Sequence, residues 1–230
     1  MPLDEGARMS ARFLFMVFGL SLIVAPLKAG AVEVSGPARI IDGDTLVIGE
    51  TTIRLHGIDA AETGQRCAGE GHKILRPGKD AIQLLQRLAE SGVSCVGSEW
   101  DDYGRLVAVC RSEKGEDINR SLVAAGWAWA FVKYSSNYVE EETFARNRHL
   151  GVWGMACDTP WAFRHKRWEV EAQKAPDGCP IKGNISENGR IYHVPWSRDY
   201  IKTRIDTSKG ERWFCSERDA LAAGWRPPHY

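Results

Sequence analysis

The sequence predicts an α+β fold in which short strands curl into a small β-barrel and helices pack against it. Strand-like apolar runs come first along the chain, and three amphipathic segments with a helical period follow. Strands followed by interspersed helices are typical of an α+β domain. In addition, the carboxylates of Asp44 and Asp59 would be too far apart along a flat hairpin to act together. A small closed barrel supplies the curvature that would bring them close.

The first predicted element is a hairpin that turns at residues 49–50. Leu46 and Ile48 alternate before this Gly-Glu pair, and Ile53 and Leu55 alternate after it. Two residues are the length of a tight hairpin loop, so the two runs should pair directly on either side of it.

Three carboxylates and one arginine surround this hairpin: Asp44, Asp59, Glu62 and Arg54. Hard cations need several oxygen ligands, which proteins usually supply as carboxylates, and a fixed guanidinium suits phosphate recognition. These residue types predict a metal-dependent centre that cleaves phosphodiesters. In a flat hairpin, Asp44 and Asp59 would lie about 13 Å apart with Arg54 on the opposite face, so a coiled strand or a bulge at a glycine must bring them together.

Three helices are predicted from the periodicity of apolar residues, at residues 79–91, 117–125 and 137–150. The first two have apolar residues three or four positions apart on one face, and all three are followed by a glycine. The third also begins with Asn137 and Glu140 in the spacing of a capping box.

The N-terminus has the three-part pattern of a secretory signal, at residues 1–31. Arg8 and Arg12 precede an apolar run at residues 13–26, and a small-residue cleavage site follows at residues 29–31. The alternative is a membrane anchor, but the run is shorter than the roughly 20 residues that a span requires. We therefore expect an exported protein, periplasmic or extracellular, with no stable membrane span after the signal is cleaved.

The balance of charge excludes one class of nucleic-acid-binding protein. The chain has 30 basic and 30 acidic residues, and removal of the leader takes away one net positive charge. A tight, sequence-independent nucleic-acid coat would be basic. An enzyme that must release its substrate has no such requirement.

The cysteine count is even, which suits disulfide bonding in an oxidising compartment. The six are Cys67, Cys95, Cys110, Cys157, Cys179 and Cys215. Cys95 and Cys110 lie on runs that look like neighbouring strands, so a cross-strand bridge is one prediction and two buried free thiols are the alternative. Cys179 with Cys215 could close the C-terminal segment and leave Cys67 for Cys157, but the sequence leaves the connectivity open. No pair has the C-x-x-C spacing that supports a structural zinc site.

Three blocks of residues, taken together, resemble the thermonuclease (staphylococcal nuclease-like) family. They are Ile41-Asp42-Gly43-Asp44-Thr45, then Arg54-Leu55 followed by Ile58-Asp59-Ala60-Ala61-Glu62-Thr63, and finally Asp102-Tyr103-Gly104-Arg105. The blocks occur in this order, the similarity covers about residues 34–153, and each charged position of the pattern is filled. The resemblance implies a five-stranded OB-fold β-barrel with three helices.

The resemblance also implies a calcium ion, held by the carboxylates of Asp44 and Asp59 and by the main-chain carbonyl of Ala60. Many relatives have Thr-Pro where this chain has Ala60-Ala61. A main-chain ligand survives that change, whereas any contribution from the threonine side chain is lost.

The remaining functional residues are also implied by the resemblance. Glu62 would help to activate the attacking water, as a general base does. Arg54 and Arg105 would bind the scissile phosphate, and Tyr103 and Tyr134 would contact the nucleotide.

Each candidate has a structural alternative. Asp44 and Asp59 could satisfy turns at strand ends, Glu62 could be a surface glutamate, and Arg105 could be a surface salt-bridge partner. We interpret the alternating aromatic residues at 127–131 as core rather than as a platform for bases.

The composition changes after the nuclease-like segment, and we predict a domain at residues 34–157, a connecting region at 158–178 and a small accessory module at 179–230. The module is similar to the zinc module of DNA alkyl-phosphotriester repair proteins in its Phe-Cys-Ser and Gly-Trp-Arg-Pro segments. The paired cysteines of that module are missing here. We therefore interpret the tail as a disulfide-closed mini-domain rather than a metal site.

Together these features predict an exported, monomeric, calcium-dependent nuclease. The resemblance implies that it hydrolyses DNA and RNA to 3′-phosphate products with little sequence specificity. The alternative is a catalytically inactive OB-fold module that binds nucleic acid or protein.

Overall fold

A computed structural model describes residues 30–228 of the chain. Nearly all of the predicted signal segment, residues 1–29, lies outside the described residues. In the part that is described, no helix is long and apolar enough to cross a membrane.

The N-terminal domain is built on strands that are short and mostly antiparallel. Their bounds are β1 Val32–Gly36, β2 Ala38–Ile40, β3 Thr45–Ile48, β4 Thr51–Leu55, β5 Ile58–Ala60, β6 Cys67–Ala68, β7 Ile74–Leu75, β8 Val93–Trp100, β9 Leu106–Ser112 and β10 Ala128–Ala130. Six of them form one sheet in the order β1-β8-β9-β4-β3-β2. Only Pro37 separates β1 from β2, yet they lie at opposite edges of the sheet, so the sheet must curl until its edges meet.

The predicted hairpin is confirmed, with Ile48 facing Thr51 across a turn at Gly49-Glu50. Gly49 has φ +57°, which suits a glycine in a two-residue loop. The α+β class is confirmed as well. The sheet has six strands, however, and the closed five-stranded OB-fold barrel stays a prediction.

The three predicted helices are present as α1 Pro77–Leu88, α2 Ile118–Ala124 and α3 Val139–Asn147. The predicted capping box at the third helix is wrong. Tyr138 occupies the N-cap position there without a side-chain cap bond, because the chain enters the helix one residue later than the sequence pattern indicated.

Two further helices, α4 Pro160–Ala172 and α5 Glu217–Ala222, were not predicted. Helix α4 lies within residues 158–178, which the sequence analysis treated as a connecting region. Its start is encoded locally, because the Thr159 hydroxyl accepts the Ala162 N–H and Pro160 fits the first turn. The half-buried face of α4 includes Phe163 and Trp168 but also the charged residues Arg164, Arg167 and Glu171, so apolar periodicity does not reveal the helix.

The C-terminal module has its own three-stranded sheet, with β11 Ile181–Ser186 between β12 Gly189–His193 and β13 Arg212–Phe214. It also has a separate apolar core. That core includes Ile181, Tyr192, Phe214 and Trp225.

Three disulfides connect the chain: Cys67–Cys157, Cys95–Cys110 and Cys179–Cys215. These are the pairings that the sequence analysis considered. Cys95 and Cys110 face each other directly across β8 and β9, and the described residues contain no free thiol. The bond between Cys67 and Cys157 joins the start of β6 to the residues that precede α4.

Candidate active site

The two candidate aspartates come together because the chain changes sheets between β4 and β5. Asp44 immediately precedes β3, and its carbonyl accepts the Leu55 N–H at 2.9 Å. The chain then turns at Gly57, which has φ +72°, and β5 pairs with β10 instead of continuing along the large sheet. Asp59 therefore does not lie further along a flat strand, and the predicted bend at a glycine is present.

Arg54 links the two aspartates. Its Nη1 forms an ion pair with Asp44 Oδ1, and its Nη2 lies 3.0 Å from Asp59 Oδ1. Both carboxylates are buried, with Asp59 0% and Asp44 4% exposed, and Asp44 Oδ2 also accepts the Ala60 N–H at 2.7 Å. Buried carboxylates require such partners, because an unpaired charge in this position would be strongly destabilising.

Glu62 lies beside this pair and is held by Arg164, a residue of α4. Arg164 Nη1 lies 2.8 Å from Glu62 Oε1, while Nη2 lies 2.6 Å and Nη1 3.2 Å from the two oxygens of Asp59. Burial raises the pKa of Glu62 to about 7, and the charge of Arg164 opposes that shift. Burial lowers the pKa of Arg164, but hydrogen bonds and charge from Asp59 and Glu62 outweigh it and raise the net pKa above its usual value.

Asp42 is a fourth carboxylate in this region. Its Oδ1 accepts the Asp44 N–H at 3.1 Å, and burial raises its pKa while the charge of Arg54 lowers it. The sequence analysis did not select Asp42, although its position two residues before Asp44 was a usable signal. Arg164 had no comparable signal, since 102 residues separate it from Glu62.

Arg105 and Tyr103 lie at the edge of the site, where the C-terminal module meets the N-terminal sheet. Arg105 Nε donates to Asp101 at 2.7 Å, and its guanidinium lies 5.0 Å from the centre of the Tyr103 ring. The Tyr103 hydroxyl donates to Glu217 Oε1 at 3.1 Å, and the Tyr192 hydroxyl donates to Glu217 Oε2 at 2.9 Å. Burial and the charge of Glu217 raise the pKa of Tyr103 to about 12.

Tyr134 is placed differently from the other candidates. Its side chain is 64% exposed, and its ring packs edge-on against Phe131 with the centroids 5.0 Å apart. Among the alternating aromatic residues, Trp129 is buried at 3% exposure, which agrees with its interpretation as core. The structure thus joins Asp44, Arg54 and Asp59 through direct contacts, and it links Glu62 to Asp59 only through Arg164. Arg105 and Tyr103 lie at the margin, and Tyr134 lies on an exposed turn.

The donor set suits a hard cation with few protein ligands. One guanidinium contacts an oxygen of Asp44 and an oxygen of Asp59, so the two carboxylates converge on one positively charged group. Carboxylate and main-chain oxygens with water are what calcium prefers. Within residues 30–228, no three or more His, Cys, Asp or Glu side chains are grouped so that they could hold a metal ion. A cation at this site would therefore depend on two aspartates, a main-chain oxygen, and water or substrate for its ligands.

Comparison with known proteins identifies two matched segments. Residues 52–155 match the family model described as staphylococcal nuclease homologue, and residues 169–227 match the one described as ArfC. Arg164 lies between these two segments.

Three known proteins illustrate what the chain is similar to. The succinoglycan biosynthesis protein ExoI of Rhizobium meliloti (strain 1021) is 31% identical over 140 residues, which are 58% of this chain and 72% of that protein. Endonuclease YhcR of Bacillus subtilis (strain 168) is 27% identical over 208 residues, 82% of this chain but 16% of that protein. An uncharacterized endonuclease of Escherichia coli O157:H7 is 30% identical over 140 residues, 56% of this chain and 83% of that protein.

Proposed function

Because the chain belongs to the staphylococcal nuclease homologue family, we propose that it is an exported, calcium-dependent nuclease. It hydrolyses phosphodiester bonds of DNA and RNA to 3′-phosphate products, with little sequence specificity. Family membership and the endonuclease relatives support a nuclease acting on nucleic acid. Calcium, export and the nature of the products are the further parts of the proposal.

The observation that carries this proposal is the convergence of Asp44 and Asp59 on Arg54, with Glu62 beside them. In the proposal the two aspartates, with the Ala60 carbonyl, hold the calcium ion. When bound there, calcium supplies Lewis-acid polarisation of the phosphate and lowers the pKa of coordinated water.

The other residues act on the substrate. Glu62 takes a proton from the attacking water, a role that is typically worth about 10²–10⁴-fold in rate. Arg54 and Arg105 bind the phosphate and favour the more highly charged transition state. Tyr103 and Tyr134 offer aromatic faces to the nucleotide, on which bases can stack.

Export is proposed from two features. Three disulfides are typical of proteins that fold in an oxidising compartment. The leader sequence at residues 1–31 has the composition of a secretory signal.

The test uses the whole chain produced in an oxidising compartment and incubated with single-stranded DNA, with calcium or with a chelator. We expect cleavage in calcium only. Glu62→Gln should lower kcat by about 10²–10⁴-fold with little change in KM. Glu50→Gln, at the exposed tip of the hairpin, is the matched control and should leave both constants unchanged.

Calcium binding is tested separately by calorimetry, because it does not depend on the choice of substrate. Wild-type protein should bind calcium and Asp44→Ala should not. Cleavage that persists in chelator, or a folded protein that neither cleaves DNA nor binds calcium, would overturn the proposal. Retained nucleic-acid binding without cleavage would indicate a binding module instead.

A further inference from the structure

Arg164 enters the candidate site from outside the segment that matches the nuclease family, which ends at residue 155. Its guanidinium contacts both oxygens of Asp59 and one oxygen of Glu62, at 2.6–3.2 Å. The Arg164 side chain is 25% exposed, and the Glu62 side chain 21%. Arg164 is therefore packed into the site rather than resting on its surface.

Several contacts fix the start of α4 relative to Glu62. Gln65 is 1% exposed and bridges the two segments, because its Oε1 accepts the Glu62 N–H at 3.2 Å and its Nε2 donates to the Asp158 carbonyl at 2.7 Å. The bond between Cys67 and Cys157 closes the same junction. The arrangement that presents Arg164 to Glu62 is therefore built by main-chain, side-chain and covalent links.

The first turn of α4 is held from another direction by aromatic packing. Trp161 stacks on Phe131, with the ring centroids 5.6 Å apart and the planes at 12°. Phe131 directly follows β10, the strand that pairs with β5 and its Asp59. The helix that carries Arg164 and the strand that carries Asp59 are thus packed together through Phe131 and β10.

A glutamate side chain has three rotatable bonds, so a general base of this type needs a partner that selects one orientation. The bond from Arg164 engages Glu62 Oε1, and the second oxygen of the carboxylate can then face a water. The fork of an arginine can hold two carboxylates at once, whereas a lysine presents a single point charge. Reaction rates are sensitive to such placement, and a misplacement of about 1 Å can cost on the order of 10²-fold.

We propose that Arg164 is a positioning residue that orients Glu62 for proton transfer. Helix α4 therefore contributes a residue to the nuclease site. This inference rests on the proposed nuclease function. It assigns a role to a residue that lies between the two matched segments of the chain. It also means that the chain beyond residue 155 is required for full activity.

The test measures kcat and KM on single-stranded DNA for the full chain and for Arg164→Ala. We expect kcat to fall by about 10–100-fold with KM nearly unchanged. Arg164→Lys, which keeps the charge but not the fork, should recover part of the loss. Arg167→Ala is the matched control: it lies on the same helix at similar exposure, 29%, and contacts the Pro195 carbonyl instead of the site.

The double variant Arg164→Ala with Glu62→Gln separates positioning from general stabilisation. If Arg164 acts through Glu62, the double variant should be about as slow as Glu62→Gln alone. The inference would be overturned if Arg164→Ala lowered kcat by the same factor in wild type and in Glu62→Gln. An unchanged kcat in Arg164→Ala would also overturn it. If Arg164→Ala does not fold, Arg164→Lys serves for the same cycle.

Calcium calorimetry on the Arg164 variants gives a readout that does not depend on activity. Removing a positive charge beside Asp59 should leave calcium affinity unchanged or raise it. A parallel loss of calcium affinity and kcat, or a gain in both, would contradict the positioning role. Wild-type protein that is folded but inactive would instead refute the proposed function itself, and the inference with it.

Discussion

The contact between Gly78 and the Glu62 loop gives a prediction in which two physical effects have opposite signs. Gly78 is buried in the first turn of α1. Alanine is favoured over glycine in a helix by about 1 kcal/mol, so helix propensity alone predicts that Gly78→Ala is stabilising. A Cβ at this position would, however, lie 2.5 Å from the Glu62 carbonyl oxygen and 2.6 Å from the Ala61 carbonyl oxygen.

Both of these neighbours are main-chain atoms, which cannot rotate away as a side chain can. The backbone at Glu62 must therefore retreat by about 0.9 Å, since ordinary van der Waals contact begins at 3.4 Å and the separation would be 2.5 Å. Overpacking of this kind typically costs about 1–3 kcal/mol, which exceeds the gain in propensity. We expect Gly78→Ala to be less stable in urea unfolding and to lose about 10–100-fold in kcat, because the carboxylate of Glu62, the proposed general base, is displaced.

Gly64→Ala is the matched control, since it lies two residues after Glu62 in the same loop. The nearest atom to its added Cβ would be the Trp196 carbonyl oxygen at 3.8 Å, an ordinary contact. It should therefore have nearly wild-type kcat and stability. A Gly78→Ala variant that is as active as wild type, or more stable, would refute the argument that this close approach positions the loop.

Three further predictions concern stability, each measured by urea unfolding. Glu217→Ala removes the acceptor shared by the hydroxyls of Tyr103 and Tyr192 and should cost about 1–3 kcal/mol. Arg218→Ala, whose ion pair is exposed, should change stability by less than about 1 kcal/mol. Equal effects of the two substitutions would contradict a stabilising role for these two hydrogen bonds. Replacing Cys67 and Cys157 by alanine opens a loop with a sequence separation of 90 and should lower the free energy of unfolding by about 4–5 kcal/mol through loop entropy. A decrease of less than about 1 kcal/mol would argue against that disulfide as a major constraint on the unfolded chain. Burial lowers the pKa of His193, so the stability that the neutral imidazole contributes is present above the unfolded pKa of about 6.5 and is lost as the pH falls towards the folded pKa. His193→Gln should therefore lose less stability than wild type between pH 7.5 and 5.5. An unchanged dependence of stability on pH would contradict the lowered pKa of His193.

The sequence by itself determined the elements whose signals are local. The two-residue turn at Gly49-Glu50 specified the hairpin register, and apolar periodicity together with cap and stop residues indicated three helices. The local sequence blocks identified Asp44, Arg54 and Asp59, which the structure joins directly, and Glu62, which lies beside them. They also required a bend, which the structure provides at Gly57.

The tertiary structure alone decided how distant segments complete the site. Arg164 and Glu62 are separated by 102 residues, and their contact depends on the Cys67–Cys157 bond, on Gln65 and on the packing of α4. The local cap at Thr159 marks where α4 begins, but it does not specify which segment the helix packs against. The sequence also left the pairing of Cys67 with Cys157 open, because a disulfide partner cannot be read from spacing. Local propensities act over a few neighbouring residues, whereas the position of a guanidinium beside a carboxylate is the outcome of packing summed over the whole domain.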